Sequence, residues 1–151
     1  ANLATIISNR GYYKTPHIIK KINHSIDSID TSFFKKIYCS IDSQYFSSVI
    51  YGMQTAVDGK FGTAKKGKLN GFTICGKTGT AQNPHGDDHS IFIGFAPKKN
   101  PKIALAIYVE GGGWGSDMAV PIGSLCIEKY LSKEIKREKL EDYIVTKIIE
   151  Y

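Results

Sequence analysis

Gly71-Phe72-Thr73-Ile74-Cys75-Gly76-Lys77-Thr78-Gly79-Thr80-Ala81-Gln82 is the stretch on which the reading of this chain turns. Two incompatible motifs overlap in it. Gly71 to Thr78 fits the phosphate-binding pattern G-x-x-x-x-G-K-[ST], which needs a flexible loop leading into a helix whose N-terminus faces the phosphates. The residues between the two glycines, Phe72-Thr73-Ile74-Cys75, are strand formers instead. The next residues, Gly79-Thr80-Ala81-Gln82-Asn83-Pro84, make a poor helix start. The stretch therefore reads as a β-strand over 72–82, and no nucleotide is expected on it. On that strand Lys77-Thr78-Gly79 places a cation and a hydroxyl on alternate sides of the pleat, with a glycine that lets a substrate backbone lie close.

Outward from this strand, Ser90 to Ala96 and Lys102 to Glu110 read as two more strands. The link Pro97-Lys98-Lys99-Asn100-Pro101 is short enough for an antiparallel hairpin. Gly111-Gly112-Gly113-Trp114-Gly115 breaks the last strand, and Ser116 or Asp117 is the expected cap of a helix. The expected core face of that helix is Met118, Ile122, Leu125, Cys126 and Tyr130. Upstream, Phe46, Val49, Ile50, Met53 and Val57 recur at helical spacing between a cap at Asp42 or Ser43 and a stop at Gly59. Leu3, Ile6 and Ile7 share a helical face ended by Gly11, Tyr12 to Ile22 reads as extended, Asn23 to Ser32 as loop and Phe33 to Cys39 as strand. Glu134 to Tyr151 carries Leu140, Tyr143, Ile144 and Ile148 in an amphipathic helical pattern. The fold class is α+β, an antiparallel sheet with packed helices.

Composition narrows the function classes. The chain has 151 residues, a net charge of +6 and 42% hydrophobic residues. No apolar run reaches the ~18 residues of a membrane helix. The lysines are scattered in pairs such as Lys35-Lys36 and Lys98-Lys99, which reads as solvated surface, so no nucleic acid is expected. Cys39, Cys75 and Cys126 lie among apolar residues without CxxC spacing and read as small buried hydrophobes rather than a metal site. His85, Asp87, Asp88 and His89 read as a solvated loop, so no metal and no cofactor are expected. Trp114 reads equally as a substrate contact or a loop anchor. Ser32-Phe33-Phe34-Lys35 fits S-x-x-K, a serine-nucleophile motif that needs a helical turn, and its setting in an expected strand marks the match as accidental.

The run from Cys75 to Gln82 resembles the third active-site motif of class B penicillin-binding proteins, most closely the penicillin-binding protein 2 type. Asp88 to Pro97, with its Gly94-Phe95-Ala96-Pro97 ending, and Asn100 to Glu110 resemble the next two strands of that family. Asn2 to Gly11, Thr15-Pro16-His17-Ile18, Asp58-Gly59 and Gly62-Thr63-Ala64 resemble the segments before the motif. The resemblance covers 1–131 as the C-terminal part of a transpeptidase domain of the β-lactamase/transpeptidase-like fold, and leaves 132–151 as a helical tail.

The resemblance implies serine acyl transfer between peptidoglycan stem peptides, binding of β-lactam antibiotics, and association with wall-synthesis proteins of cell elongation. It implies a bacterial periplasmic location, with an inner-membrane anchor outside this sequence. Lys77, Thr78, Gly79 and Thr80 would bind substrate, and the Thr80 backbone N–H would be an oxyanion donor. The family's S-x-x-K and S-x-N motifs have no credible counterpart here, so the chain alone is expected to be inactive. The other reading is a non-catalytic β-lactam sensor or a degenerate penicillin-binding module.

Overall fold

A computed structural model describes residues 1–18 and 31–147. The expected extended run over 19–22, the loop over 23–30 and Ile148 lie outside the described residues.

Three strands form the central antiparallel sheet in the order β3-β4-β5: β3 is Cys75–Ala81, β4 His89–Ala96 and β5 Ile103–Val109. Their registers put Thr78 opposite Phe92 and Phe92 opposite Ile107. The strand expected from Phe72 starts only at Cys75, because Phe72 turns back to bridge Leu69. A separate two-stranded ribbon pairs β1 (Tyr12–Tyr13) with β2 (Ile37–Tyr38), which brings the rings of Tyr12 and Tyr38 to 5.8 Å. The strand expected over 33–39 is thus shorter. A 3-10 turn, Thr31–Phe34, takes its first residues and packs both phenylalanine rings on His17 at 5.3 and 5.5 Å.

Because side chains alternate across a strand, each face of the sheet has its own core. On one face α1 (Asn2–Ser8) and α2 (Phe46–Asp58) lay Ile6, Ile7, Phe46, Ile50 and Met53 against Cys75 and Phe95. On the other, α3 (Ala119–Ser132) buries Val120 and Ile127 against Phe92, joined by Val57, Ala64 and Ile74. Helix α1 ends in a Schellman turn: Gly11 N–H reaches Ile6 O at 2.9 Å and Arg10 N–H reaches Ile7 O at 3.1 Å. The left-handed residue of the turn is Arg10 at φ +56°, and Gly11 follows it at φ +111°, a conformation that glycine adopts at little cost. Asp42 starts a short 3-10 segment by accepting from Gln44 N–H at 2.9 Å, and α2 begins at Phe46 just after it. Val49, expected in its core face, is 47% exposed.

Helix α3 departs most from expectation. Its buried stripe is Val120, Gly123, Ser124 and Ile127, while Cys126 is exposed and Tyr130 is 49% exposed. The stripe contains small residues because the helix backbone lies on the sheet: a Cβ on Gly123 would sit 2.8 Å from Phe92. Of the expected face Met118 and Leu125 are buried, so hydrophobicity alone finds part of the buried side and misses its small residues. Neither Ser116 nor Asp117 caps the helix. Ser90 Oγ of β4 accepts from Ala119 N–H at 3.0 Å and donates to Trp114 O at 2.8 Å, so the cap comes from the sheet. Of the cysteines, Cys75 is buried, Cys39 half-buried and Cys126 exposed, which corrects the expectation that each is a buried hydrophobe. Burial pushes the Cys75 thiol up to about 11, so it stays protonated and inert.

The short α4 (Glu138–Thr146) docks through its first turn. Arg137 Nε donates to Glu128 Oε2 at 2.8 Å, and the Glu128 side chain is only 4% exposed. The guanidinium also reaches the carbonyls of Lys66 and Lys68. Arg137→Ala would leave a buried carboxylate with one remaining partner, the Lys136 N–H at 3.3 Å. Stability should fall by about 3 kcal/mol, since removing one partner strands the other's charge. Urea unfolding measures this, and a loss below roughly 0.5 kcal/mol, typical of an exposed pair, would contradict it.

Candidate active-site strand

Strand β3 is one edge of the described sheet, so one side of its backbone has no ladder partner there. In an antiparallel ladder, N–H and C=O of alternate residues point to opposite sides. The Thr78 carbonyl takes a hydrogen bond from Lys77 Nζ at 2.7 Å, which puts it on the free side. The backbone N–H of Thr80, two residues on, faces the same way. Gly79 lies opposite Ile91 in the ladder. A Cβ on Gly79 would meet the Ile91 side chain no closer than 3.4 Å, an ordinary contact, so the core does not require a glycine there.

Thr78 and Thr80 share a side of the pleat, roughly 6.6 Å apart along the strand. Among the described residues each hydroxyl has one hydrogen-bond neighbour. Thr78 Oγ1 lies 2.9 Å from Thr63 Oγ1, and Thr80 Oγ1 accepts from Gly115 N–H at 3.4 Å. The 115 loop can come so near only because it is glycine: a Cβ there would lie 2.5 Å from Gly79 O. Lys77 leaves the strand on the other side, along an apolar cleft of about 850 Å³ lined by Leu3, Val49, Met53, Phe61, Thr63 and Ile93 among others, and its Nζ returns to the Thr78 carbonyl at the edge. The strand therefore combines a positive charge, two hydroxyls and an outward N–H along one edge, a set suited to an anionic ligand carrying a carbonyl.

The remaining candidates divide differently. Ser32 lies in a 3-10 turn rather than a strand, with Lys35 N–H donating to Ser32 O at 3.2 Å. Lys35 follows the turn and is exposed, and neither residue lines the cleft of Lys77. His85, Asp87, Asp88 and His89 do not act together. Asp88 Oδ1 accepts from Asn83 N–H at 3.0 Å, and His89 Nδ1 accepts from Gly111 N–H at 3.1 Å. Among the described residues no three His, Cys, Asp or Glu side chains converge. The Trp114 indole is 73% exposed, and the residue is held by its backbone carbonyl on Ser90. Thr63 is the polar neighbour that the sequence does not single out. Its only signal is its place in Gly62-Thr63-Ala64, and the contact is 15 residues away in the chain.

Residues 1–128 match the family model described as penicillin binding protein transpeptidase domain. The chain belongs to that family and has the β-lactamase/transpeptidase fold. It is 27% identical over 89% of its length to the peptidoglycan D,D-transpeptidase MrdA of Haemophilus influenzae. It is 31% identical over 84% to the peptidoglycan D,D-transpeptidase PbpA of Mycolicibacterium smegmatis. These matches span 23% and 27% of the two relatives, so the chain corresponds to about a quarter of such a protein. Among solved structures it superposes on Pseudomonas aeruginosa PBP2 in complex with WCK 5153 with a TM-score of 0.71 and 34% identity, covering 90% of this chain and 30% of that one. Penicillin-binding protein A from M. tuberculosis, as a ceftriaxone acyl-enzyme complex, gives 0.71 and 28%, covering 86% and 31%.

The geometry also bears on the phosphate-binding pattern. A tight turn at Asn70 and Gly71 closes the Leu69–Phe72 bridge, a paired strand runs from Cys75, and the strand leads to the loop before β4 rather than to a helix. Calorimetric titration with ATP and magnesium should give no saturable heat, and binding abolished by Lys77→Ala would contradict the strand reading.

Proposed function

We propose that this chain is the substrate-binding part of a peptidoglycan D,D-transpeptidase, spanning 1–131 with 132–151 as an appended helical tail. The observation that carries the reading is the free edge of β3, where the Thr78 hydroxyl, the Lys77 ammonium and the outward Thr80 N–H lie along one strip. The D,D-transpeptidase names of the relatives and the acyl-enzyme complex of the M. tuberculosis protein support it.

In this reading a serine outside this sequence attacks the carbonyl between the two terminal D-alanines of a stem peptide. The tetrahedral oxyanion is held by the Thr80 N–H and by the N–H of that serine. One such donor contributes about 2.7–4 kcal/mol of transition-state stabilisation. The C–N bond breaks, D-alanine leaves with a proton, and an amine of a second stem peptide displaces the serine to form the cross-link. The terminal carboxylate binds the hydroxyls of Thr78 and Thr80, Lys77 supplies the positive field, and Gly79 lets the peptide lie on the strand. β-Lactams present the same carboxylate and carbonyl, and so acylate the serine and stall. The proposed setting is the periplasm, on a protein anchored in the inner membrane and working with the wall-synthesis proteins of cell elongation. No described helix of this chain is itself long and apolar enough to cross a membrane.

Thr78→Val in the intact transpeptidase keeps shape and strand propensity but deletes the hydroxyl. A hydrogen bond to a charged group contributes about 1.5–3 kcal/mol, so acylation by benzylpenicillin should slow roughly ten- to a hundredfold. Thr78→Ser should retain most of the rate. Stability should change by no more than about 1 kcal/mol, the contribution of the single hydroxyl contact to Thr63. Wild-type acylation by Thr78→Val, measured by stopped-flow, would remove Thr78 from the substrate wall.

A further inference from the structure

We propose that Thr63 is a positioning residue for this wall: its hydroxyl donates to Thr78 Oγ1 and so directs the Thr78 proton onto a ligand carboxylate. The inference rests on the reading of Thr78 given above and adds a residue to it.

The two hydroxyl oxygens are 2.9 Å apart, and either could be the donor in the free protein. Chemistry settles the direction once a carboxylate arrives. An ionised carboxylate only accepts, and a threonine hydroxyl has one proton to give. If Thr78 gives its proton to the ligand, its remaining contact must be as acceptor, so Thr63 must donate. A hydroxyl that accepts one hydrogen bond also becomes a better donor of the next. The chain of donation is Thr63 to Thr78 to carboxylate.

Thr63 is held in place by the residues on either side of it. Ala64 is fully buried, and its N–H donates to Ala56 O at 2.8 Å at the end of α2. On the other side, Gly62 N–H donates to Gly59 O at 3.1 Å. Both glycines are required by close approach. A Cβ on Gly62 would lie 2.3 Å from Ala56 O, and one on Gly59 would lie 2.4 Å from Thr55 O. The loop is thus pressed onto the C-terminal carbonyls of α2, whose Ile50 and Val57 are buried. Thr63 also lines the cleft with Lys77, while its hydroxyl lies against that of Thr78. A group fixed in this way costs little reorganisation when ligand binds.

The test is a set of variants in the intact transpeptidase: Thr63→Val, Thr63→Ser, Thr78→Val and the double valine variant. Acylation is followed with benzylpenicillin and with its methyl ester, which lacks the anionic carboxylate. Thr63→Val should slow benzylpenicillin acylation about three- to tenfold, the worth of one neutral hydrogen bond, chiefly through weaker initial binding. It should leave the ester rate within about twofold, and Thr63→Ser should restore the wild-type rate, both expected from a loss confined to that hydrogen bond. In the Thr78→Val background, Thr63→Val should have no further effect, because the relay is already broken. Equal slowing of acid and ester, or full additivity with Thr78→Val, would make Thr63 a packing residue and overturn the inference. If Thr78→Val is slow while Thr63→Val acylates at the wild-type rate, the wall stands and the relay is wrong. If neither variant is slow, the reading of Thr78 itself fails.

Discussion

Phe92 fixes the rest of this structure. Its ring is fully buried at the middle of β4, and three glycines make room for it. A Cβ would lie 2.3 Å from the ring at Gly76, 2.9 Å at Gly94 and 2.8 Å at Gly123. These glycines belong to β3, β4 and α3, so one side chain sets how closely all three elements approach. Burying a phenylalanine contributes roughly 2–3 kcal/mol through its apolar area. Here the larger effect is specificity. A one-residue slip of β3 would place Lys77 or Cys75, rather than Gly76, over the ring, and the register of Thr78 opposite Phe92 would be lost.

The functional edge depends on that register. With Gly76 beneath the ring, Cys75 goes to the core under α2, Lys77 to the cleft, and Thr78 and Thr80 to the side reached by Thr63 and Gly115. The same packing brings α3 down where Ala119 N–H meets Ser90 Oγ, and that oxygen in turn ties down Trp114 and its glycine loop. The two glycines around Lys77 therefore differ in purpose. Gly76 is required by the core, whereas a methyl at Gly79 would make only ordinary contacts with Ile91.

Elements whose burial rests on large apolar residues are readable from the chain itself. The three-stranded sheet, its hairpin and α2 are of this kind. The features that escape such a reading depend on small residues or on distant partners. The buried stripe of α3 runs through Gly123 and Ser124, which carry no hydrophobic signal and are buried because they are small. Its cap is Ser90, 29 residues upstream, while the nearby Ser116 and Asp117 pair with each other at 3.3 Å, and Asp117 also pairs with Lys66. The 3-10 turn at Ser32 hides behind two phenylalanines that look like strand residues. Within the candidate site, Lys77 to Thr80 are contiguous and visible as a motif. Thr63 is not, since a single threonine in a glycine loop has no pattern until the fold brings it to Thr78.

The unfolding midpoints of Gly76→Ala and Gly79→Ala in the intact protein, compared side by side, test the central role of Phe92 most directly. A methyl at Gly76 meets the Phe92 ring at 2.3 Å, and overpacking of this kind costs about 1–3 kcal/mol, a midpoint drop of roughly 1–3 °C in a protein of several hundred residues. A methyl at Gly79 meets Ile91 at 3.4 Å, an ordinary contact, so its midpoint should stay within about 0.5 °C of wild type. Equal midpoints for the two variants, or a greater loss at Gly79, would show that Phe92 does not set the position of β3.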